Sequence, residues 1–358
     1  MKAAVCYEFN KPLVIDDLEM DRPKKGEVKV RLAATAVCHS DIHFIMGDMG
    51  GNVPFVPGHE SAGYVEEVGE GVTSVKAGDP VVVSLLRSCG QCLYCRTGRP
   101  NLCDAKWPLD SESRMRNKRG QAIGHGLRVA SMAEYAMVDR SQVVKIPANM
   151  PMDRAALLAC GVITGFGAVV NRAKVEPLSS VVVIGVGGVG LNAIQGAAIS
   201  GAYPIIAVDM VESKLDAAKK FGASHTVDAS KSADPVAAVK ELTSGVGADY
   251  VFVTVGVTAA VRQGLSMLGR RGMTVIVGLA TQMLSSNPME YIDGEKTLTG
   301  SFMGTTNLHV DIPKLVALYQ AGHLKLDELI TARYPLNKVN EAIDSVKKGE
   351  ALRNVIVF

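Results

Sequence analysis

Aromatic residues are scarce in this chain: 8 Phe, 9 Tyr and a single Trp make up 5% of 358 residues. Charge of one sign is also missing, since 38 Lys and Arg against 36 Asp and Glu leave a net charge of +2. A surface so nearly neutral has no electrostatic footprint for nucleic acid or for acidic membranes. The one basic run, Arg114-Met115-Arg116-Asn117-Lys118-Arg119, has no interleaved aromatics on which bases would stack, and it reads as a solvated loop. No long hydrophobic run is present. The most apolar stretch, from Ala155 to Val170, is too short to span a bilayer and contains three glycines, so a buried segment is expected. The opening residues Met1-Lys2-Ala3-Ala4-Val5-Cys6-Tyr7 are broken by Glu8 before reaching the apolar length of a signal peptide. Clustered cysteines without an export signal point to metal binding in a reducing cytoplasm, not to a disulfide framework.

What is present is an ordinary globular balance, 47% hydrophobic and 21% charged, in a chain long enough for two domains. The first 150 residues alternate short β-type runs (Val28 to Ala36, Gly63 to Val68, Pro80 to Ser84) with Gly and Pro turns, which predicts an irregular antiparallel β domain. From about Ala155 the pattern changes to apolar strands alternating with amphipathic helices. Strands are expected at Val181–Gly185, Ile205–Asp209, His225–Val227, Asp249–Thr254, Met273–Val277 and Thr297–Phe302, and helices at Val189–Ser200, Glu212–Phe221 and Ala233–Thr243. Six such strands predict an α/β, doubly wound parallel sheet. Beyond about Thr305 two helices and a last strand, Asn354–Phe358, are expected.

Six of the 7 cysteines fall into two zinc-ligand patterns. Cys89, Cys92, Cys95 and Cys103 form C-x2-C-x2-C-x7-C within 15 residues. On their own they suit a zinc ribbon or a redox thiol site, but the redox reading needs a thioredoxin-like βαβ unit, which is absent. Four thiolates fill every position of a structural zinc, in a lobe spanning residues 87–104. Cys38 and Cys160 lie far apart with Gly58-His59-Glu60 between them. Two thiolates and one imidazole make a three-ligand site that keeps a position open for water or substrate. Cys6 is left over and reads as a small buried hydrophobe in the first strand.

Val181-Val182-Val183-Ile184 runs directly into Gly185-Val186-Gly187-Gly188-Val189-Gly190 and then into a helical pattern. That context turns a weak G-x-G-x-x-G signal into a dinucleotide site. Gly185 allows the tight turn, Gly187 lets the backbone approach a pyrophosphate, and Gly190 permits close helix packing. Asp209, 19 residues beyond Gly190, would hold the adenosine ribose and repel a 2′-phosphate, which favours NAD over NADP. Its structural alternative is a strand-end residue or helix cap. Lys214 would reach the same ribose, or stand merely exposed in a first helical turn.

Cys38-His39-Ser40-Asp41, His43, Gly58-His59-Glu60, Cys160, the four-cysteine lobe, the glycine turn and Leu352-Arg353-Asn354-Val355 together resemble the zinc-dependent alcohol dehydrogenases of the medium-chain dehydrogenase/reductase family. The resemblance covers essentially the whole chain and is strongest to the liver-type and glutathione-dependent formaldehyde dehydrogenase (class III-like) branches. It implies a GroES-like catalytic domain at residues 1–161 and 303–358 and a six-stranded Rossmann NAD-binding domain at 162–302. Two zincs per chain are implied, one catalytic on Cys38, His59 and Cys160 and one structural on Cys89, Cys92, Cys95 and Cys103.

Further roles follow from the same resemblance. Asp41 would orient His59, although a turn-forming Asp is the plainer reading. Glu60 would assist ligand exchange at the metal. Ser40 would take the alcohol's proton and relay it through the cofactor ribose to His43, a histidine whose alternative is purely structural. Thr164 would touch the nicotinamide, walled in by Val189, Val277 and Leu279, and Arg353 would pair with the pyrophosphate. The residue after Cys38 is often arginine in this branch and helps to hold the pyrophosphate; here it is His39. Met49, Leu85, Trp107 and Phe302 would line an apolar substrate channel. Met49 and Trp107 stand where the formaldehyde branch grips glutathione with charges, which argues against that substrate.

The expected function is therefore reversible, zinc- and NAD-dependent oxidation of a hydrophobic primary alcohol, aromatic or medium-chain, to its aldehyde. A polyol or formaldehyde dehydrogenase on the same scaffold is the alternative, and a non-catalytic nucleotide-binding zinc protein a remote one. The expected partners are small alcohols or aldehydes, with no nucleic acid and no membrane. A homodimer or homotetramer is implied, with its contact near Thr299 to Met303.

Overall fold

A computed structural model describes residues 1–358. The chain forms two compact units, Met1–Cys160 with Asn307–Phe358, and Gly161–Thr306. These bounds lie within a few residues of the 161/162 and 302/303 boundaries expected from the sequence.

The first unit is built on two sheets. The larger has seven strands, in the order Val143–Lys145, Pro80–Val83, Glu60–Val68, Glu27–Ala36, Arg353–Val357 and Ile330–Pro335, with Tyr135–Asp139 also paired to Glu27–Ala36. Val28, Val30, Leu32, Val65, Val81, Val83, Ala136 and Val138 alternate inward along these strands and make one buried cluster. Strand Ile330–Pro335, which runs parallel to the last strand, was not expected from the sequence. Its alternating half-buried and exposed residues give only a weak apolar signal. The second sheet orders Lys2–Val5, Val14–Met20, Met115–Asn117, Ala122–His125 and Phe55–Val56. Cys6 is buried, as expected, but stands one residue past the first of these strands.

Register in the larger sheet brings distant residues to one end. Ala36 pairs with Glu60, and Val355 pairs with Ala36. Cys38 therefore emerges just past one strand, His59 sits just before its neighbour, and Arg353 begins the strand on the other side.

The basic run around Arg114 is not a solvated loop. Met115–Asn117 is a strand paired on both edges, and Arg114 is 2% exposed. Its guanidinium binds Glu27 through Nε (3.0 Å) and Nη2 (2.7 Å), and Glu112 through Nη1 (3.0 Å). A buried arginine is tolerated because these carboxylates replace its water. The apolar stretch is buried, as expected, but it belongs to a longer helix. Met152–Ala173 is one 22-residue helical run, long and apolar enough by composition to cross a membrane, and 78% of its most apolar window is buried inside the protein. Two π-helical segments, Leu158–Val162 and Ala168–Ala173, interrupt its α-helical turns.

The second unit is a doubly wound α/β fold. Its six parallel strands run in the order His225–Asp228, Ile205–Asp209, Val181–Ile184, Ala248–Val253, Leu268–Ile276 and Thr297–Gly300. Val182, Ile184, Ile206, Val208, Val251 and Val253 bury fully in its core, which explains why the strands read as continuous apolar runs. Helices Gly188–Ile199, Glu212–Lys220 and Pro235–Leu242 lie within a residue or two of the expected ones.

Candidate active site and metal centres

The first cluster consists of Cys38, His59 and Cys160, all buried, with their ligand atoms within 4.8 Å of one another. Each arrives by a different route. Cys38 is the N-cap of helix His39–Met46, and His59 stands directly before strand Glu60–Val68. Cys160 lies in the π-helical turn Leu158–Val162, whose Ala159 carbonyl accepts a 2.6 Å hydrogen bond from Ser84 Oγ. Turns of this kind recur at functional sites because they re-aim a side chain out of the helical register.

Asp41 ties the cluster together. Its Oδ2 accepts from the Cys38 amide (3.1 Å), while Oδ1 accepts from the Gly58 amide (2.9 Å) and from His59 Nδ1 (2.9 Å). An ionised carboxylate can only accept, so Nδ1 of His59 carries the proton and Nε2 holds the lone pair. Nε2 is buried and has no hydrogen-bond partner. Burial alone would lower the His59 pKa, but Asp41 and the Cys38 sulfur hold it well above the ordinary imidazole value, so a metal ion would reach the Nε2 lone pair by displacing a proton. The hydrogen bond from Cys160 is the largest cause keeping Cys38 well below a normal thiol, and the same contact pushes Cys160 up. An orphaned imidazole lone pair facing two sulfurs is a donor set that fits zinc, whose binding displaces the thiol protons.

Around this cluster, Ser40 Oγ lies 3.7 Å from Cys38 Sγ, on the first turn of the same helix. His43 follows at i+3 from Ser40, on the same helix face. Its side chain is 41% exposed, and its Nδ1 meets Asp48 Oδ2 at 2.9 Å. His39 is exposed at the first helical position. Arg353 has a partner that the sequence did not indicate. It is 5% exposed and 3.4 Å from Glu60 Oε1, which places it beside the thiolates with Glu60 as an ion-pair partner. The strand register that starts Arg353–Val357 opposite Cys38 dictates this position.

The second cluster is Cys89, Cys92, Cys95 and Cys103, all half-exposed, with sulfurs within 4.8 Å of one another. Zinc–sulfur bonds of about 2.3 Å in a tetrahedron require sulfurs about 3.8 Å apart. Cys92 and Cys103 stand 3.8 Å apart. Backbone amides prepare the donors: Gln91 N (3.4 Å) and Cys92 N (3.2 Å) donate to Cys89 Sγ, and Cys89 N donates to Cys103 Sγ (3.3 Å). The Gln91 and Cys92 amides draw the Cys89 pKa down to about 6, whereas burial pushes Cys95 up to about 12. Four sulfurs complete a tetrahedron and leave no position for a substrate, so this site fits a structural zinc.

Of the expected channel residues in this unit, Met49 is exposed beyond helix His39–Met46, and Leu85 packs on the Val75, Val81 and Val83 cluster. The Trp107 ring lies under the Arg87 guanidinium, 5.9 Å from it. Arg87, which sequence reading passed over, is buried and donates to Gln142 Oε1 (2.8 Å) and Asp110 Oδ1 (2.6 Å). Asp48 was also passed over. The signal available for it was Gly47, a helix-terminating glycine that folds the next residue back.

In the second unit the glycine turn has the geometry expected of it. Gly185 adopts φ +86°, and a Cβ there would sit 2.3 Å from Val255 Cγ1. A Cβ on Gly190 would lie 2.0 Å from the Gly185 carbonyl oxygen, so the helix packs directly on the turn. Open space faces Gly187, the N-cap of helix Gly188–Ile199, which has no side-chain cap. Uncapped amides beside open space suit a pyrophosphate. Asp209 ends its strand, and Oδ2 accepts from the Val186 amide within the turn (2.8 Å). Its Oδ1 accepts from Met210 N (2.8 Å) and Val211 N (3.0 Å), so the strand-end role is also present. Lys214 and Val189 are half-buried, as is Val277, while Leu279 and Phe302 are exposed. Thr164 is buried, its hydroxyl 3.7 Å from Met303 Sδ.

Comparison with known proteins agrees with this arrangement. Residues 24–148 match the alcohol dehydrogenase GroES-like domain family, and residues 188–321 match the zinc-binding dehydrogenase family. The chain is 42% identical to an NDMA-dependent alcohol dehydrogenase of Amycolatopsis methanolica over 99% of this chain and 98% of that one. Among solved structures, a benzyl alcohol dehydrogenase from Acinetobacter calcoaceticus is 33% identical, with a TM-score of 0.93 over 100% of this chain and 99% of the other. An alcohol dehydrogenase zinc-binding domain protein from Burkholderia ambifaria is 32% identical, with a TM-score of 0.95 over 100% and 98% of the two chains. A GroES-like unit with two zinc donor sets and a Rossmann unit with a glycine turn are the parts of one family, and the chain belongs to the zinc-type medium-chain alcohol dehydrogenases.

Proposed function

We propose that this alcohol dehydrogenase oxidises a hydrophobic primary alcohol, aromatic in preference to polyol, with NAD as hydride acceptor. The observation that carries the reading is His59 Nε2, buried, unpartnered and held by Asp41 in the tautomer that faces Cys38 and Cys160. When bound, zinc lowers the pKa of an alcohol hydroxyl and NAD supplies the ring that accepts hydride.

The chain's own residues do the rest. Cys38, His59 and Cys160 hold the metal, and Asp41 fixes the imidazole. Ser40 receives the hydroxyl proton, and His43, half in solvent, releases it to water. Glu60 and Arg353 form an ion pair behind the thiolates, where the arginine's charge favours the ionised form of both sulfurs and Glu60 offsets it at Cys160. The amides after Gly187 hold the pyrophosphate, and Asp209 favours an unphosphorylated ribose. Apolar Met49, Leu85 and Trp107 suit a substrate without charge, and the benzyl alcohol dehydrogenase relative supports an aromatic one.

The NDMA-dependent relative favours a second reading of the acceptor alone, in which free NAD does not serve as the turnover oxidant. One assay matrix tests both points: benzyl alcohol, cinnamyl alcohol, ethanol and a polyol, each with free NAD and with NDMA. Fastest turnover of the aromatic alcohols with free NAD is expected. A polyol preference would overturn the substrate reading, and turnover with NDMA but not free NAD would replace the acceptor.

A further inference from the structure

Helix His39–Met46 ends at Gly47, which adopts φ +84°. The left-handed turn folds the chain back so that the Asp48 amide donates to the His43 carbonyl at 3.0 Å. The Asp48 side chain follows, and its Oδ2 reaches Nδ1 of His43 at 2.9 Å. Two contacts thus join the same pair of residues, one through backbone and one through side chain. The backbone contact needs nothing from the carboxylate, so the turn itself does not explain why Asp48 meets the imidazole.

We propose that Asp48 is a positioning residue for proton release, holding His43 in the Nδ1–H tautomer so that Nε2 is its proton-accepting atom. The inference rests on the reading of Ser40 and His43 as the proton path. Neutral imidazole has one N–H and one lone pair, and a carboxylate at Nδ1 decides which nitrogen has which. With Nδ1–H donated to Asp48, the lone pair lies on Nε2, at the far side of the ring. An incoming proton adds to Nε2 and gives an imidazolium whose charge faces Asp48. Loss of the Nε2 proton to solvent water then restores the neutral ring in the same tautomer, with no rotation and no second proton movement. Without the carboxylate, the ring would revert to the Nε2–H form that free imidazole prefers, and each proton transfer would wait on tautomer exchange. The arrangement at His59 is the buried counterpart: there Asp41 also takes Nδ1–H, but Nε2 is directed at the two sulfurs.

The test uses the full-length holoenzyme labelled with ¹⁵N at histidine. Ring nitrogen shifts assign the tautomer of His43 by its loss in a His43→Ala sample. In the unsubstituted protein Nδ1 should carry the proton. In Asp48→Ala the proton should move to Nε2, with kcat for benzyl alcohol falling roughly fivefold, as befits a solvent-exposed pair, and KM for the alcohol unchanged. Asp48→Glu should restore both readouts. An Nε2–H tautomer in the unsubstituted protein, or no change in Asp48→Ala, would overturn the role of Asp48 whether or not His43 moves protons. Full turnover in His43→Ala would overturn the proton path itself and the catalytic consequence assigned to Asp48, even with the tautomer shift intact.

Discussion

Cys89, Cys92, Cys95 and Cys103 come from a single loop and are all half-exposed, whereas Cys38, His59 and Cys160 come from three separate elements and are all buried. The local cluster depends on little besides its own turns. Its backbone amides donate to its sulfurs, and Cys92 caps the short helix Leu93–Arg96 that carries Cys95. The convergent cluster exists only when the large sheet has its register and the apolar helical run has its π-helical turn. A tetrahedron of four thiolates would close around a metal and organise a lobe. Three donors backed by Asp41, Glu60 and Arg353 would leave one side of a bound metal for a reacting oxygen, which is why the proposed chemistry is assigned to this cluster and not to the other.

Substitutions can separate these roles. The largest effect is expected for Cys38→Ser: turnover should fall roughly 10³-fold or more, and zinc should drop from two per chain to one, with the thermal midpoint nearly unchanged. Metal analysis and a melting curve on the same preparation check this. Cys92→Ser should reverse the pattern. Loss of the lobe's metal should reduce stability by about 3 kcal/mol while the folded fraction keeps most of its kcat. A Cys92→Ser enzyme with full thermal stability would remove the structural role of that cluster.

Asp41→Ala falls between them, because Asp41 orients a ligand without being one. Affinity for the zinc at Cys38, His59 and Cys160 should weaken about 10- to 100-fold, measured by chelator competition, with the lobe's zinc unaffected. Equal loss from both clusters would show that Asp41 supports the unit as a whole.

The smallest effect concerns acid, which strips metal from thiolates and so blurs the two clusters. His125 provides a separate acid response. Burial is the largest cause lowering its pKa to about 4, with Arg87 and Arg114 adding to it. The unfolded chain takes up this proton near pH 6.5, before the folded protein does. Stability is therefore complete above about pH 6.5 and falls as pH drops toward 4, by roughly 2 kcal/mol after allowance for the ring's partial exposure. His125→Gln should flatten this part of the pH–stability curve and leave metal release with its original pH dependence. An unchanged curve would exclude His125 as its source.

Local patterns were legible in the sequence. The four clustered cysteines and the Gly185–Gly190 turn each lie within one short segment, so spacing alone carries their geometry. Cys38, His59 and Cys160 were grouped by donor type and then by resemblance, because no spacing rule links residues from a strand end and a helical turn. Partners fixed by register were not legible. Arg114 and Glu27 are 87 residues apart, and a run of basic residues says nothing about which of them faces a buried carboxylate. The ion pair of Arg353 with Glu60 likewise follows from the pairing of Val355 with Ala36, which the motif around Arg353 does not reveal. Strand Ile330–Pro335 was missed because its exposure alternates without a strong apolar face. Asp48 was within reach, since Gly47 marks the helix end that turns it toward His43.

Cobalt substitution tests the division between an open and a closed cluster most directly. Cobalt placed at Cys38, His59 and Cys160 should change its visible absorption when a competitive alcohol analogue is added. Cobalt placed at Cys89, Cys92, Cys95 and Cys103 should keep the spectrum of a four-thiolate tetrahedron throughout. A spectrum that shifts at the four-cysteine cluster, or stays fixed at the Cys38, His59 and Cys160 cluster, would contradict the assignment of catalysis to the buried site.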